Sequence, residues 1–297
     1  MFKTLAFSLA AFTMAVSAQA QSIPEGFYIR GNIQAEHISD GTTSLNAGAA
    51  DIVLGYKASG ISSLPVGIEV GLYRFGTDSF SLDTVITPVV FIDTQIGRFS
   101  AGVPRPALDD YVLQSRYANS VYWDLYLGSI NSSFSDSAQK LIGLDSRGVR
   151  FDGALGNVNY GISAHRFTGI DLFTAAANYT IGRFVFAGGI ETANVAVSNG
   201  YYGSVQGNFG QFTGSVSVVR PIATPFNLAQ VTGAYSPMAN LTLEVSHMMP
   251  STGSPSTSGS VKYGLPSGTY VGANVMSFTG LTPIFGIFGG WDFSYGG

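Results

Sequence analysis

The sequence predicts an all-β protein, a transmembrane antiparallel β-barrel of about 16 strands. Charged residues make up only 11% of the 297 residues, against roughly 25% in a typical soluble domain, and the mean hydropathy is +0.25. After the first 20 residues, no apolar run approaches the ~18 residues that a membrane helix needs. The chain instead alternates between apolar and polar residues in segments of about ten, which is typical of membrane-crossing strands.

The composition excludes several kinds of functional site. The chain has no cysteine, which rules out a disulfide framework, a cysteine zinc site, an iron–sulfur cluster and thiol catalysis. The net charge is −4 and the 14 basic residues are spread along the sequence, which argues against a nucleic-acid partner. The low charge and high hydropathy also argue against disorder.

The N-terminus has the layout of an export signal. Lys3 supplies a short positive start, residues 4–17 form an apolar segment, and the Ala-Gln-Ala run at 18–20 is a small-residue cleavage site. We therefore expect a cleaved signal peptide over 1–20 and a barrel over 21–297. The alternative, a short N-terminal membrane helix, is disfavoured because the apolar segment is short and ends at a cleavage site.

The first predicted strand shows the alternation clearly. Phe27, Ile29 and Ile33 fall on one face, whereas Arg30 and Asn32 fall on the other. Polar faces along the chain are rich in Gly, Ser, Thr, Asn and Gln with few charges. This suits a wet lumen, whereas in a soluble β-sandwich, the alternative fold, the apolar face would look into a core. The predicted strands cover residues 26–38, 47–57, 66–74, 82–92, 95–103, 147–154, 157–167, 170–180, 183–191, 201–208, 211–219, 226–235, 241–249, 259–264, 269–278 and 284–293.

The same alternation predicts which charged and amide side chains face the lumen. Glu69, for example, lies between Ile68 and Val70, which we assign to lipid. The predicted lumen-facing residues of this kind are Asn32, Glu36, Glu69, Arg98, Asp152 and Glu244.

The connections alternate in length. Those after even-numbered strands are mostly tight, such as 93–94 and 156–157, and those after odd-numbered strands are often longer, such as 192–200 and 250–258. Outer-membrane barrels combine short periplasmic turns with longer external loops, and an even strand number puts both chain ends on the periplasmic side.

One connection, residues 104–146, is far longer than the rest. Loops beyond about 15 residues are usually functional or disordered. This one carries six aromatic residues, too many for a disordered tether, so we expect it to pack against the interior wall of the barrel. The alternative is an external cap or a plug over the mouth.

Two motifs flank this connection. The first runs from residue 96 to 102 (IGRFSAG) and continues into 106–110 (PALDD). The second covers 145–152 (DSRGVRFD) and is followed by the tight turn at 156–157. With a long third external loop in a 16-strand barrel, these motifs resemble the general diffusion porins of Gram-negative outer membranes, in particular the alphaproteobacterial porins of the Rhodobacter type.

The resemblance implies a channel for passive diffusion of small hydrophilic solutes and ions across the outer membrane, without catalysis. It implies that the third loop folds inward and supplies Asp109 and Asp110 to a pore constriction. Arg30 and Arg150 alternate with neighbours that we assign to lipid, so their side chains should point into the lumen. We expect these two arginines to face the two aspartates from the barrel wall. A mild cation preference is expected, because residues 104–146 carry five acidic and three basic residues.

The resemblance also implies partners: two further copies in a homotrimer, the lipid bilayer with lipopolysaccharide, and small solutes. The barrel assembly machinery is expected to read Trp291, Phe293 and Tyr295, although two glycines follow them. A further departure from the family is Val103, which stands where many general porins have an arginine. A substrate-specific outer-membrane channel and a plugged structural or adhesive barrel are the alternative functions.

The sequence carries no enzyme motif of the G-x-S-x-G, P-loop or H-E-x-x-H type. His37, His165 and His247 are scattered near strand ends, and parity sends His247 outward, away from His165. Asp109 and Asp110 have no identifiable catalytic partner, so they fit a pore lining better than an acid/base pair. No cofactor is predicted, except that these two carboxylates are candidates for binding Ca²⁺ with loop carbonyls.

Overall fold

A computed structural model gives the fold. It describes residues 25–59, 64–112, 119–126, 133–142, 146–167, 169–195, 197, 199–222, 224 and 226–296. The predicted signal peptide lies outside the described residues. None of the described helices is both long and apolar enough to cross a membrane.

Sixteen antiparallel strands form one closed barrel in which each strand pairs with its sequence neighbours and the last strand pairs with the first. The fold class predicted from the alternation is therefore confirmed. The strands are β1 (Gly26–Ser39), β2 (Ser44–Ala58), β3 (Val66–Thr77), β4 (Val85–Thr94), β5 (Gly97–Gly102), β6 (Arg147–Leu155), β7 (Val158–Phe167), β8 (Ile170–Ile181), β9 (Phe184–Ala193), β10 (Gly200–Phe209), β11 (Phe212–Arg220), β12 (Leu228–Met238), β13 (Leu241–Pro250), β14 (Ser256–Gly264), β15 (Thr269–Phe278) and β16 (Ile284–Gly296).

The strand ends differ from the predicted ones by a few residues. β14 begins at Ser256 rather than at 259, because the Ser and Gly residues at its start carry no apolar alternation but still pair with β15. Pro88 lies inside β4, where a proline is normally unfavourable. It is tolerated because the pairing of β4 with β5 ends at Val89 and Gly102, just before the proline. No N–H of residue 88 is therefore needed for the pairing of these two strands.

The two faces of the wall have opposite chemistry. Phe27, Ile287 and Val245 point outward and are 79%, 64% and 60% exposed, whereas the inward positions carry mostly small polar or charged side chains. A soluble fold would bury this apolar surface, but a bilayer covers it without cost.

The connections also alternate as predicted. At one end of the barrel, tight turns pass through Gly156, Gly182 and Gly210, each with a positive φ that glycine adopts without strain. The exception at that end is the seven-residue connection 59–65 between β2 and β3, part of which is described. We call the opposite end, which has the longer connections, the outer rim.

The long connection between β5 and β6 contains three short helices in its described parts: α1 (Ala107–Tyr111), α2 (Val121–Tyr126) and α3 (Phe134–Ile142). Of the predicted constriction residues, Asp109 and Asp110 lie on α1, whereas Arg30 and Arg150 lie on the strands β1 and β6.

Candidate functional site

Helix α1 packs against the inward face of the wall. Leu108 is fully buried in a cluster with Ala176 of β8, Tyr202 of β10 and Val219 of β11. The backbone N–H of Ala107 donates a hydrogen bond of 3.0 Å to Ser163 Oγ of β7. The first helix of the connection therefore covers strands β7–β11 from the lumen side.

Helix α2 is held at a different part of the wall. Glu36 of β1 accepts hydrogen bonds from Ser120 Oγ at 2.7 Å and from Asn274 of β15 at 2.9 Å. Ser120 Oγ in turn accepts from the N–H of Trp123 at 3.2 Å, which caps the helix. Val121 packs with Phe75 of β3. This helix therefore contacts the opposite side of the ring from α1.

Helix α3 returns to the first side. Glu191 of β9, which is fully buried, accepts hydrogen bonds from the N–H of Phe134 at 2.8 Å and from the N–H and Oγ of Ser135 at 3.1 and 2.7 Å. A carboxylate at this position satisfies free N–H groups and interacts favourably with the helix dipole. Further along, the Lys140 ammonium lies 5.1 Å from the ring centre of Tyr73 on β3.

The most connected charge in the wall is Arg150 of β6, whose side chain is only 8% exposed. Its Nη1 lies 2.5 Å from Asp110 Oδ2, its Nη2 lies 2.6 Å from Asp152 Oδ1, and it donates to the Arg105 carbonyl at 3.0 Å. Arg150 and Asp110, both predicted at the constriction, are therefore in direct contact. They do not face each other across an open gap, and the wall arginine anchors the start of the loop.

The two neighbouring aspartates of α1 have different environments. Asp109 accepts hydrogen bonds from Ser133 N at 2.7 Å and Ser133 Oγ at 2.6 Å. Burial, together with the nearby charge of Asp136, raises the pKa of Asp109 to about 8. Burial also acts to raise the pKa of Asp110, but the charges of Arg150 and Arg105 outweigh it, so the pKa of Asp110 is lowered. Asp110 is thus negatively charged over a wider pH range than Asp109.

Arg30, the other predicted wall arginine, lies toward the tight-turn end. Its side chain is 48% exposed and its Nη2 is 3.8 Å from Glu69. Glu69 also accepts a 2.6 Å hydrogen bond from the Tyr28 hydroxyl, and Arg98 Nη1 lies 3.9 Å from it. Arg30 is thus the less constrained of the two wall arginines.

Further ion pairs line the same wall, and of their members the sequence predicted only Arg98 to face the lumen. Arg98 makes two hydrogen bonds to Asp93 at 2.6 and 3.0 Å, and Lys57 Nζ lies 2.9 Å from the same carboxylate. Arg105 forms an ion pair with Asp51 of β2. The alternation along each strand predicts that the strand residues among them point inward. It does not reveal which of these charged side chains contact each other across neighbouring strands.

The remaining residues predicted to face the lumen take ordinary wall positions. Asn32 donates hydrogen bonds to Asp292 at 2.5 Å and to the Tyr270 hydroxyl at 2.8 Å. Glu244 has inward parity on β13 and is 4% exposed. Around β12 and β13 the wall is otherwise hydroxyl- and amide-rich: Gln230 bonds to Ser246 at 2.8 Å.

The two carboxylates that are candidates for Ca²⁺ have other partners in this arrangement. Both oxygens of Asp109 accept hydrogen bonds from Ser133, and Asp110 contacts Arg150. Ca²⁺ binding at these carboxylates stays a prediction.

The histidines occupy separate places in the wall. His165 is buried on the inward face with Nε2 2.8 Å from the Pro104 carbonyl, and His247 lies on the outward face beside Thr257. His37 contacts Asn46 at the outer rim.

Comparison with solved structures identifies the architecture. A triple mutant of the Rhodopseudomonas blastica porin matches with a TM-score of 0.68 and 14% identity, covering 90% of this chain and 100% of that one. A variant of the same porin with five substitutions gives 0.69 and 13% with the same coverage. This chain has the porin fold. An engineered protein described for asymmetric conductivity also matches, with a TM-score of 0.68, 13% identity and coverage of 90% and 99%.

The likeness lies in structure rather than in sequence. No protein-family model matches the chain, and no curated protein matches it in sequence. At 13–14% identity the shared feature is the barrel itself, so the roles of individual side chains depend on the geometry described above.

Proposed function

We propose that this protein is an outer-membrane porin that lets small hydrophilic solutes and ions diffuse passively through a water-filled lumen, without catalysis. The supporting observation is the closed barrel of 16 strands with an apolar outside and a polar inside, which shares its fold with solved porins. A polar lumen walled by a lipid-compatible surface is what passive diffusion across a bilayer requires.

The connection between β5 and β6 forms the constriction in this proposal. Its described parts contact inward-facing residues on β1, β3 and β7–β11, so solutes must pass between it and the wall. Asp110, Arg30 and Arg150 supply the charges, and Asp109 contributes mainly at alkaline pH. Because most of these charges are paired, we propose only a mild cation preference.

The remaining elements of the proposal follow the resemblance to porins. Residues 1–20 direct export and are cleaved, and the mature barrel 21–297 assembles as a homotrimer in a bilayer containing lipopolysaccharide. Trp291, Phe293 and Tyr295 form a contiguous outward aromatic strip on β16, with ring centres of successive members 4.6 and 6.4 Å apart. We propose this strip as the signal for the barrel assembly machinery.

The deciding experiment is a single-channel recording of the refolded mature protein in planar bilayers. We expect stepwise, steady currents in KCl. A folded barrel, verified by its β-sheet circular dichroism, that leaves the bilayer sealed would contradict the channel function.

A plugged barrel is the second candidate, because a specific observation favours it. The connection contacts the wall on both sides of the ring, at Glu36 and at Glu191, rather than along one side only. A plugged barrel stays electrically silent until the connection is removed, whereas a porin conducts with the connection in place.

A further inference from the structure

The long connection packs against the inner surface of the barrel at four apolar clusters. Leu108 shares a cluster with β8, β10 and β11, Val121 with β2 and β3, and Ala138 with β7 and β8. Trp123 packs against the fourth cluster, which lies on β12, β13, β15 and β16. The described parts of the connection thus contact the wall on all sides of the lumen, and Trp123 makes the apolar contact on the far side from α1.

The cluster around Trp123 is a pocket of inward-facing side chains, which we call the Trp123 pocket. It consists of Leu228 of β12, Met248 of β13, Met276 and Phe278 of β15, and Ile284 of β16. The ring centres of Trp123 and Phe278 lie 5.0 Å apart. All five wall residues lie within three residues of the outer-rim end of their strands. Methionine side chains are unbranched and adapt to irregular contacts, so the two in this pocket suit a partner that enters and leaves.

The apolar pocket lies on strands whose next inward positions are polar. Two residues further into the barrel, the inward side chains are Gln230 on β12, Ser246 on β13 and Asn274 on β15. Apolar side chains that face a wet lumen are stabilised when another apolar group covers them. Trp123 covers the pocket, so its departure would expose the pocket to water.

The residue at the start of the Trp123 segment, residues 119–126, has a strained backbone. Asn119 has a φ of 53°, in the left-handed region that residues other than glycine adopt at a cost. Its carbonyl accepts a 2.8 Å hydrogen bond from Gln34 of β1, and its side chain donates a 2.7 Å hydrogen bond to Ser260 Oγ of β14. Strain of this kind persists where surrounding contacts enforce it, so detachment of the segment would release it.

We propose that Trp123 is the positioning residue that holds residues 119–126 across the lumen, and that its release from the pocket widens the passage beside β12 and β13. The beginning of the connection stays in place in both states, because Arg150 and the buried Leu108 cluster fix it. The inference rests on the proposed function, since only an open lumen has a passage to widen.

The wall beside this passage indicates which solutes use the wider state. Among the described inward positions of β10–β13, Glu244 is the one charged side chain, and most of the others are hydroxyl or amide groups. Such groups both donate and accept hydrogen bonds and suit uncharged, hydroxyl-rich solutes. We therefore assign the wider state to larger neutral sugars, whereas small ions pass in both states.

The first test compares single-channel records of the refolded full barrel. Wild type should show brief excursions to a larger conductance level. Trp123→Ala should raise the ratio of time in the larger level to time in the smaller level about 100-fold, because truncating a packed tryptophan strongly destabilises its contact. Trp123→Phe keeps an aromatic ring for Phe278 and should stay close to wild type.

The second test changes the pocket from the wall side, which also covers the case in which Trp123→Ala fails to fold. Met276→Ala enlarges the pocket, and Val275→Ala removes an apolar side chain from the outward face of the same strand as the matched control. Liposome swelling with raffinose should be faster with Met276→Ala than with wild type and unchanged with Val275→Ala. The KCl conductance of the smaller level should be equal in all three.

Fluorescence gives a readout that does not depend on conduction. Trp123 and Trp291 are the two tryptophans of the chain. Trp291→Phe keeps an outward aromatic ring and leaves Trp123 as the single indole fluorophore. In the folded barrel Trp123 should be shielded from acrylamide, and Met276→Ala in this background should increase the quenching.

Two results would overturn the inference. The first is a conducting Trp123→Ala variant with the conductance levels and dwell times of wild type. The second is acrylamide quenching of Trp123 that is as strong in the folded barrel as in the urea-unfolded chain. A folded barrel that stays electrically silent in wild type and in every variant would instead contradict the channel function. A silent wild type with a conducting Trp123→Ala would support the inference and show that docking closes the lumen.

Discussion

Glu36 and Glu191 hold the long connection from opposite sides of the barrel. Glu36 lies on β1 and Glu191 on β9, halfway around the ring of 16 strands. Each is an almost fully buried wall carboxylate that accepts a hydrogen bond from a serine hydroxyl at the start of a helix in the connection. Glu36 also accepts from one backbone N–H there, and Glu191 accepts from two. The connection is thus fixed at both ends of a diameter, with Arg150 as a third anchor near its beginning.

Removing either carboxylate anchor should loosen the connection. Glu36→Gln and Glu191→Gln each replace one carboxylate oxygen, an acceptor, with an NH₂ group that points at existing donors. Each change should weaken the free energy that holds the connection to the wall by about 2 kcal/mol. We expect larger open-channel current noise and faster proteolysis within 104–146. Glu69→Gln, at a wall glutamate whose hydrogen bond and ion pairs are with wall residues, is the control. Noise equal in all three variants would mean that these anchors do not restrain the loop.

Deleting most of residues 106–140 should enlarge the pore. The described parts of this segment fill space beside inward-facing wall residues, so their removal widens the narrowest section. We expect a higher single-channel conductance and faster liposome swelling with larger neutral sugars. A conductance equal to that of the intact protein would contradict the constriction model, and conduction seen only after deletion would favour the plugged barrel.

Ion preference should depend on Asp110 more than on Asp109. At neutral pH Asp110 keeps its charge because Arg150 and Arg105 lower its pKa, whereas the raised pKa of Asp109 leaves it largely protonated. Asp110→Asn should therefore shift the reversal potential in a KCl gradient toward anions at pH 7, and the shift should shrink at high salt as screening increases. Asp109→Asn is the matched control, and an equal shift in both variants would contradict the assignment.

Charges placed on the two faces of a strand should have unequal effects on assembly. Val216 lies in the middle of β11 on its outward face, 49% exposed, and its neighbour Ser215 faces inward, so they form a matched pair. An arginine in mid-bilayer on the lipid face costs roughly 2–4 kcal/mol, so Val216→Arg should impair folding into vesicles and Ser215→Arg should not. Equal folding yields would contradict the assignment of faces.

The barrel could be predicted from the sequence because its main determinant is local. A period-two pattern fixes which side chains point outward. It predicted a strand correctly both in the short segment 259–264 and in the long, clearly alternating segment 26–38. The site could not be predicted to the same depth, because its contacts join residues distant in sequence. Nothing near Glu191 in the sequence indicates that it caps a helix 57 residues earlier. Likewise, Asp109 and Asp110 look equivalent in sequence, and only their partners distinguish them.

The attachment of the connection should also depend on pH through Asp109. Burial and the charge of Asp136 raise the pKa of Asp109 above its ordinary value of about 4, so the folded loop holds this proton more tightly than a detached loop does. The folded arrangement is therefore favoured most at acidic pH and loses this contribution as the pH rises through the raised pKa. We expect open-channel noise in the wild type to increase between about pH 4 and about pH 8, the range in which the folded and detached loops bind different numbers of protons. Asp109→Asn keeps the shape of the side chain and removes the titration, so its noise should vary less over the same range, and a variant with the wild-type pH dependence would show that another group is responsible.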